Sequence, residues 1–227
     1  MPLFPLALAA GLLPLAAINI SYVLAANAGQ VPWCLPYIDS CTSISATGRL
    51  PPAAFVFKGL MIPAAVLLVH YWILNACWLR RLGCQRHRWH RLLVILGLLA
   101  GCGLIIYSTL LGSIGPEYRG PRRTGVIAFF GATYLAQLII TWLLHERQTM
   151  RVEHGGLLFW LLVLMLLNLL LGLVHVLLGI AAPRLYEAVT NAFAWNFTLL
   201  LCLHVLLTAE LWRRTRWRLS FNLDQLI

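Results

Sequence analysis

Acidic side chains are nearly missing from this sequence. Seven of its 227 residues are Asp or Glu, and 11% are charged in all. Lysine is scarcer still: Lys58 stands alone, so sixteen of the seventeen cationic residues are arginine. So little charge excludes a soluble domain of this size, which would need polar surface to cover its core. Asp39, Glu117 and Glu187 lie in three separate connections, so a paired-carboxylate catalyst would have to be assembled from distant pieces. HExxH, CxxC and clustered Cys/His spacings are lacking, which argues against a metal site, and no cofactor is implied. There is no GxSxG elbow for a serine nucleophile. Helices broken at matching positions of two halves, the mark of many transporters, are not evident either.

What the chain does have is hydrocarbon. It is 61% hydrophobic with a mean hydropathy of +0.82. Apolar runs fall near residues 4–26, 55–79, 92–113, 125–145, 157–181 and 190–212. Crossing a hydrocarbon layer of roughly 30 Å takes about 20 helical residues. The runs are continuous rather than alternating, and a bilayer admits only helices or closed barrels. The expectation is an all-α, polytopic six-helix transmembrane bundle, with residues 1–227 forming one membrane domain. Ala26-Asn27-Ala28 has the small-x-small form of a leader cleavage site, but no basic segment precedes it. The first run is therefore expected to stay as a helix; cleavage would leave five.

Basic residues set the expected orientation. With both termini cytoplasmic, that side holds Arg80, Arg81, Arg86, Arg88, Arg91, Arg147, Arg151, Arg213, Arg214, Arg216 and Arg218, eleven of the seventeen. The opposite side holds Arg49, Lys58, Arg119, Arg122, Arg123 and Arg184. The net charge of +10 then reads as topology and attraction to anionic headgroups. Nucleic acid is excluded as a partner, because the arginines are split between two membrane faces. Trp78, Trp89, Trp142, Trp212 and Trp217 are expected to form an aromatic belt at the cytoplasmic boundary. Arginine in such excess over lysine hints at GC-rich coding, hence a bacterial source and its inner membrane.

The connection over residues 27–54 is the longest, and its prolines, glycine and Ser/Thr run break up any long helix. An ordered loop of that length on a small membrane protein points to function, a passive cap being the alternative. Within it Cys34 and Cys41 stand seven residues apart; a disulfide is expected, with two free thiols as the alternative.

Cys34-Leu35-Pro36-Tyr37-Ile38, then Ser43-Ile44-Ser45-Ala46-Thr47-Gly48, then Pro51-Pro52 ahead of Phe55 and Phe57, resembles the signature of the Frag/DRAM/Sfk family. That family includes the post-GPI-attachment remodelling proteins and the related N-terminal region of Cwh-type proteins. Gly125, Phe129, Phe130, Gly131, Tyr134 and Gln137 are similar to its second conserved pattern. Arg122 stands where the family often has a His, so a role resting on that His does not carry over. The resemblance implies a membrane protein concerned with membrane lipid, and does not by itself imply catalysis.

Polar residues inside the runs add detail. Arg123, Tyr134, Gln137, Thr141 and His145 share a face of the fourth helix, and Asn168, Gly172, His175 and Gly179 one of the fifth. Gly97, Gly101, Ser108 and Gly112 form a small-residue face on the third. Such faces turn inward, as interhelical hydrogen bonds or as part of a site. The arginines of Gly115–Arg123 break the positive-inside expectation, and their planar forks suit phosphate. The expected site binds membrane lipid, anionic species among them, between the first and third loops: Asp39, Ser43, Ser45, Lys58, His70, Arg122, Arg123, Tyr134 and Gln137. His70, twelve residues below Lys58, is about 18 Å deeper on an ideal helix and is the least secure of these. The alternatives are a lipid-remodelling enzyme acting on acyl or phosphoryl groups and a membrane adaptor working through its basic tail; no protein partner is implied.

Overall fold

The computed structural model describes residues 1–218. Among them six helices are long and apolar enough to cross a membrane. These are α1 (Phe4–Asn27), α4 (Ala53–Arg81), α5 (His87–Leu110), α6 (Arg119–His145), α7 (Gln148–Ala181) and α8 (Pro183–Arg214). Two single-turn helices, α2 (Pro36–Asp39) and α3 (Ile44–Thr47), sit in the long first connection, and a 3-10 turn, Pro116–Tyr118, leads into α6. The fold is all-α, as the apolar runs require.

The six long helices close into a ring. Each packs on its neighbour in sequence, and α8 returns to pack on α1. Small residues set the closest approach: a Cβ on Gly103 would lie 2.6 Å from the Gly125 carbonyl oxygen, and one on Gly125 2.7 Å from that of Gly103. Here α5 and α6 touch backbone to backbone, as lipid-embedded helices do where side chains are small. The small-residue face expected on the third helix is only partly realised. Gly97 and Gly101 do receive Trp72 and Val69 of α4. Gly112, however, lies beyond the end of α5, with φ +86° and a Cβ there only 2.6 Å from the Arg49 carbonyl oxygen, while Gly103, outside that face, makes the backbone contact with α6.

The first and last described residues meet at one end of the ring, where Leu3 N–H donates to the Trp217 carbonyl at 3.2 Å. The half of the bundle next to this terminal end is filled by aromatic rings. Tyr71 stacks on Trp212 with centroids 5.6 Å apart, and Trp72 and Trp78 meet the pair edge-on. The indole of Trp212 donates to Asn75 Oδ1 at 3.1 Å and that of Trp78 to Thr215 Oγ1 at 3.2 Å. The expected aromatic belt is thus corrected: Trp78, Trp212 and Trp217 are buried, and of the five Trp142 is the exposed one. Each buried indole among Trp78 and Trp212 finds an interior acceptor, which removes its need for the headgroup layer.

At the opposite, loop end the first connection is pinned across the ring. Trp195 of α8, fully buried, donates to the Thr42 carbonyl at 2.9 Å. Asn191 and Asn196 donate to the carbonyls of Ser40 and Tyr37 at 2.9 and 2.8 Å. On the α1 side, the Tyr22 hydroxyl accepts from Cys34 N–H at 2.7 Å and donates to the Cys34 carbonyl at 2.6 Å. Cys34 and Cys41 are joined as a disulfide, with their Cα atoms 6.6 Å apart.

Candidate functional site

The sequence from Gly115 to Arg123 reads as a loop, because Gly120 and Pro121 stand in it. In the fold, α6 already begins at Arg119, six residues earlier than the apolar run. A proline is tolerated in the first turn of a helix, where its missing N–H has no partner to lose. The early start changes the geometry of the arginines. Arg119, Arg122 and Arg123 fall at i, i+3 and i+4 and therefore share a face. They sit where the helix dipole is positive as well, so the local field attracts anions strongly.

That face opens onto a chamber of about 340 Å³ below the first connection. Its polar rim is Arg119, Arg122, Arg123, Ser43 and Ser45; its depth is apolar, with Ile18, Met61, Val126, Phe129, Phe130 and Ala194 around Tyr107 and Thr198. Ser43 caps α3, its hydroxyl accepting from Ala46 N–H at 3.2 Å, and lies 3.1 Å from the Ser45 hydroxyl. Gly48 lets this turn lie flat on the core, since a Cβ there would come within 2.5 Å of the Phe57 ring. A second cavity, about 450 Å³, adjoins at the loop end and is lined by Arg49, Arg119, Arg122 and the turn Gly112–Pro116. Among the described residues, none of Arg49, Arg119, Arg122 and Arg123 has a carboxylate within ion-pair distance. The ion pairs that do form lie elsewhere, as between Arg86 and Glu146 and around Glu210.

Four of the nine residues anticipated for a site, Ser43, Ser45, Arg122 and Arg123, come together on the chamber wall. The other five are placed apart. The Asp39 carboxylate accepts from Leu35 N–H at 2.7 Å and closes the α2 turn. Lys58 donates to the Thr109 carbonyl at 3.2 Å, tying α4 to α5. His70 is exposed on α4, its Nδ1 2.8 Å from the Val66 carbonyl. The Tyr134 hydroxyl donates to the Met165 carbonyl at 3.2 Å, and the buried Gln137 amide to that of Leu201 at 2.9 Å. These last two are interhelical fasteners. Arg119, expected as an arginine of the third loop but not placed among the nine, is also on the walls, its spacing to Arg122 and Arg123 being the signal that joins it to them; Arg49 and Tyr107 line the cavities without having been expected there, and Tyr107 gave no signal.

The chemistry of the chamber is that of an amphiphile's mould, cationic at the rim and hydrocarbon below. Among the described residues that line it there is no His, Asp or Glu. No curated protein and no solved structure matches the chain. The family model of the Frag1/DRAM/Sfk1/Cwh43P N-terminal domain matches residues 2–213, nearly the whole of it. The chain belongs to this family.

Proposed function

For this multi-pass membrane protein of the Frag1/DRAM family, we propose that the chamber binds a membrane lipid with an acidic, phosphate-bearing headgroup. The observation that carries the reading is the trio Arg119, Arg122 and Arg123, three cations with no carboxylate in ion-pair reach among the described residues, on the rim of a largely apolar cavity. Guanidinium forks match phosphate oxygens two at a time, and each charge-assisted hydrogen bond is worth about 1.5–3 kcal/mol. The lack of a base on the wall favours binding over turnover. A tail-driven adaptor has less support, since Arg213 and Arg214 are both engaged by Glu210.

The basic asymmetry of the chain supports a non-cytoplasmic loop end, both termini being cytoplasmic. Single cysteines at Gly120 and Arg184 are then labelled in intact cells by an impermeant reagent, and cysteines at Gln85 and Thr149 are not. Labelling at Gln85 overturns the orientation. Ser220, another natural probe position, lies outside the described residues, and Thr42 is too buried to serve.

The binding test is the triple variant Arg119→Gln, Arg122→Gln, Arg123→Gln in nanodiscs containing phosphatidylglycerol and phosphatidylcholine. Native mass spectrometry should show retained phosphatidylglycerol falling at least about tenfold, the loss of roughly one charge-assisted contact. Equal retention by the variant and the parent chain sinks the proposal.

A further inference from the structure

The chamber also has a flank toward the bilayer. In α7 the buried residues end at Asn168, with none from Leu169 to Ala181. In α8 they begin at Trp195, with none from Pro183 to Ala194. The loop-end turns of α7 and the first turns of α8 thus stand off the ring, while α8 is held from Asn191 onward by the first connection and the deeper part of the hairpin is fastened through Tyr134 to Met165 and Gln137 to Leu201. Between them runs a groove of about 220 Å³, walled by Phe130 of α6, Gly172 and His175 of α7, and Phe193, Ala194 and Phe197 of α8.

Groove and chamber share Phe130 and Ala194 as walls. At this shared wall Phe130 meets Phe197 edge-on, with centroids 5.9 Å apart. His175 Nε2 lies 3.0 Å from Thr190 Oγ1, and most of the rest of the lining is hydrocarbon. Gly172 keeps it open. A Cβ there would meet the Phe197 ring at 3.5 Å, ordinary contact, but a bulkier side chain would fill the space. Depth matters too. Phe130 lies eleven residues below Arg119, about 16 Å along an ideal helix, so a headgroup on the arginines leaves acyl chain, not headgroup, at this level.

We propose that this groove is a lateral portal, through which a lipid enters from the bilayer and in which one acyl chain lies while the headgroup rests on the arginines. The inference rests on the lipid reading of the chamber and adds the ligand class: a bilayer-resident lipid with at least one long chain, rather than a water-soluble phosphate ester arriving from the loop end.

The probe is phosphatidylglycerol with a diazirine midway along one acyl chain, photolysed in nanodiscs and mapped by mass spectrometry. Adducts are expected on the groove wall, at Phe193 and Phe197, as well as in the chamber at Met61 and Val126. In Gly172→Phe the chamber adducts fall roughly tenfold, because the added ring takes the place of the acyl chain in the groove and the lipid loses affinity, while Gly172→Ala behaves as the parent chain. Dihexanoyl phosphatidic acid, short enough to arrive through water, binds Gly172→Phe as it binds the parent. Chamber adducts with none on Phe193 or Phe197 overturn the portal and leave the lipid site standing. Undiminished chamber adducts in Gly172→Phe, or equal loss of the short-chain and long-chain lipids, also overturn it. Absence of adducts at every one of these residues in the parent chain overturns portal and lipid site together. If Gly172→Phe fails to fold, the map of the parent chain decides alone.

Discussion

The two halves of this bundle are built to opposite specifications. Toward the terminal end, Tyr71, Trp72, Trp78 and Trp212 fill the space between α4 and α8, and Asn75 and Thr215 accept the two indole N–H groups at 3.1 and 3.2 Å. Toward the loop end, α7 and α8 bury nothing along their upper turns, two cavities and a groove adjoin, and four arginines have no carboxylate within ion-pair reach among the described residues. One half has its interior filled by aromatic rings, and the other leaves volume between its helices with arginines at the rim. Close-packed interiors resist deformation, whereas loosely packed elements open at low free energy. The difference teaches where to look for function in a chain whose chemistry is otherwise muted: at the end where packing is incomplete.

Substitutions can break or sharpen that contrast. The largest effect is expected from Trp212→Ala, which empties the centre of the aromatic cluster and leaves Asn75 without its donor. It should cost about 3–5 kcal/mol, read as a large drop in the unfolding temperature in detergent. A shift within error would mean that the terminal half is not the rigid one.

Next comes the double variant Cys34→Ser, Cys41→Ser. Cross-linking so short a loop should stabilise by about 2 kcal/mol, but Trp195, Asn191 and Asn196 still hold the connection on α8. The variant should therefore unfold earlier yet keep its lipid, and non-reducing mass spectrometry of the parent chain should find the two cysteines joined. Loss of lipid with intact folding would show that the disulfide, not α8, positions Ser43 and Ser45. The smallest stability effect belongs to Arg119→Gln, Arg122→Gln, Arg123→Gln. Because no ion pair is broken, unfolding should shift by no more than about 0.5 kcal/mol, even as lipid retention collapses. A clear destabilisation would make the arginines structural and erase the contrast between the halves.

Much of the site was half visible in the residues. Ser43 and Ser45 drew notice through the first loop's pattern, Arg122 and Arg123 through their defiance of the positive-inside bias. Arg119 stood out with them as an arginine of the third loop but was left out of the site, because a loop gives it no shared face with Arg122 and Arg123, whereas a proline in the first helical turn loses no hydrogen bond. Lys58, Tyr134 and Gln137 looked like ligand groups for a good reason: a polar atom in hydrocarbon must find a partner. In the fold those partners are carbonyls of adjacent helices, a choice that residue type leaves open. The aromatic belt failed similarly, since a tryptophan near a helix end suits either a headgroup or an interior acceptor.

What the amino-acid sequence determined by itself is the class of structure. Runs of hydrocarbon long enough to cross a bilayer leave the backbone no option but helices, and their number follows from counting. Tertiary structure alone decided which polar groups face a cavity and which fasten helices together. Periodicity fixes the face of a helix on which a side chain lies, but not what that face meets. Only the ring, with α8 returning to α1 and closing over the first connection, puts Arg119, Arg122 and Arg123 over a largely apolar chamber while the Gln137 amide meets the Leu201 carbonyl.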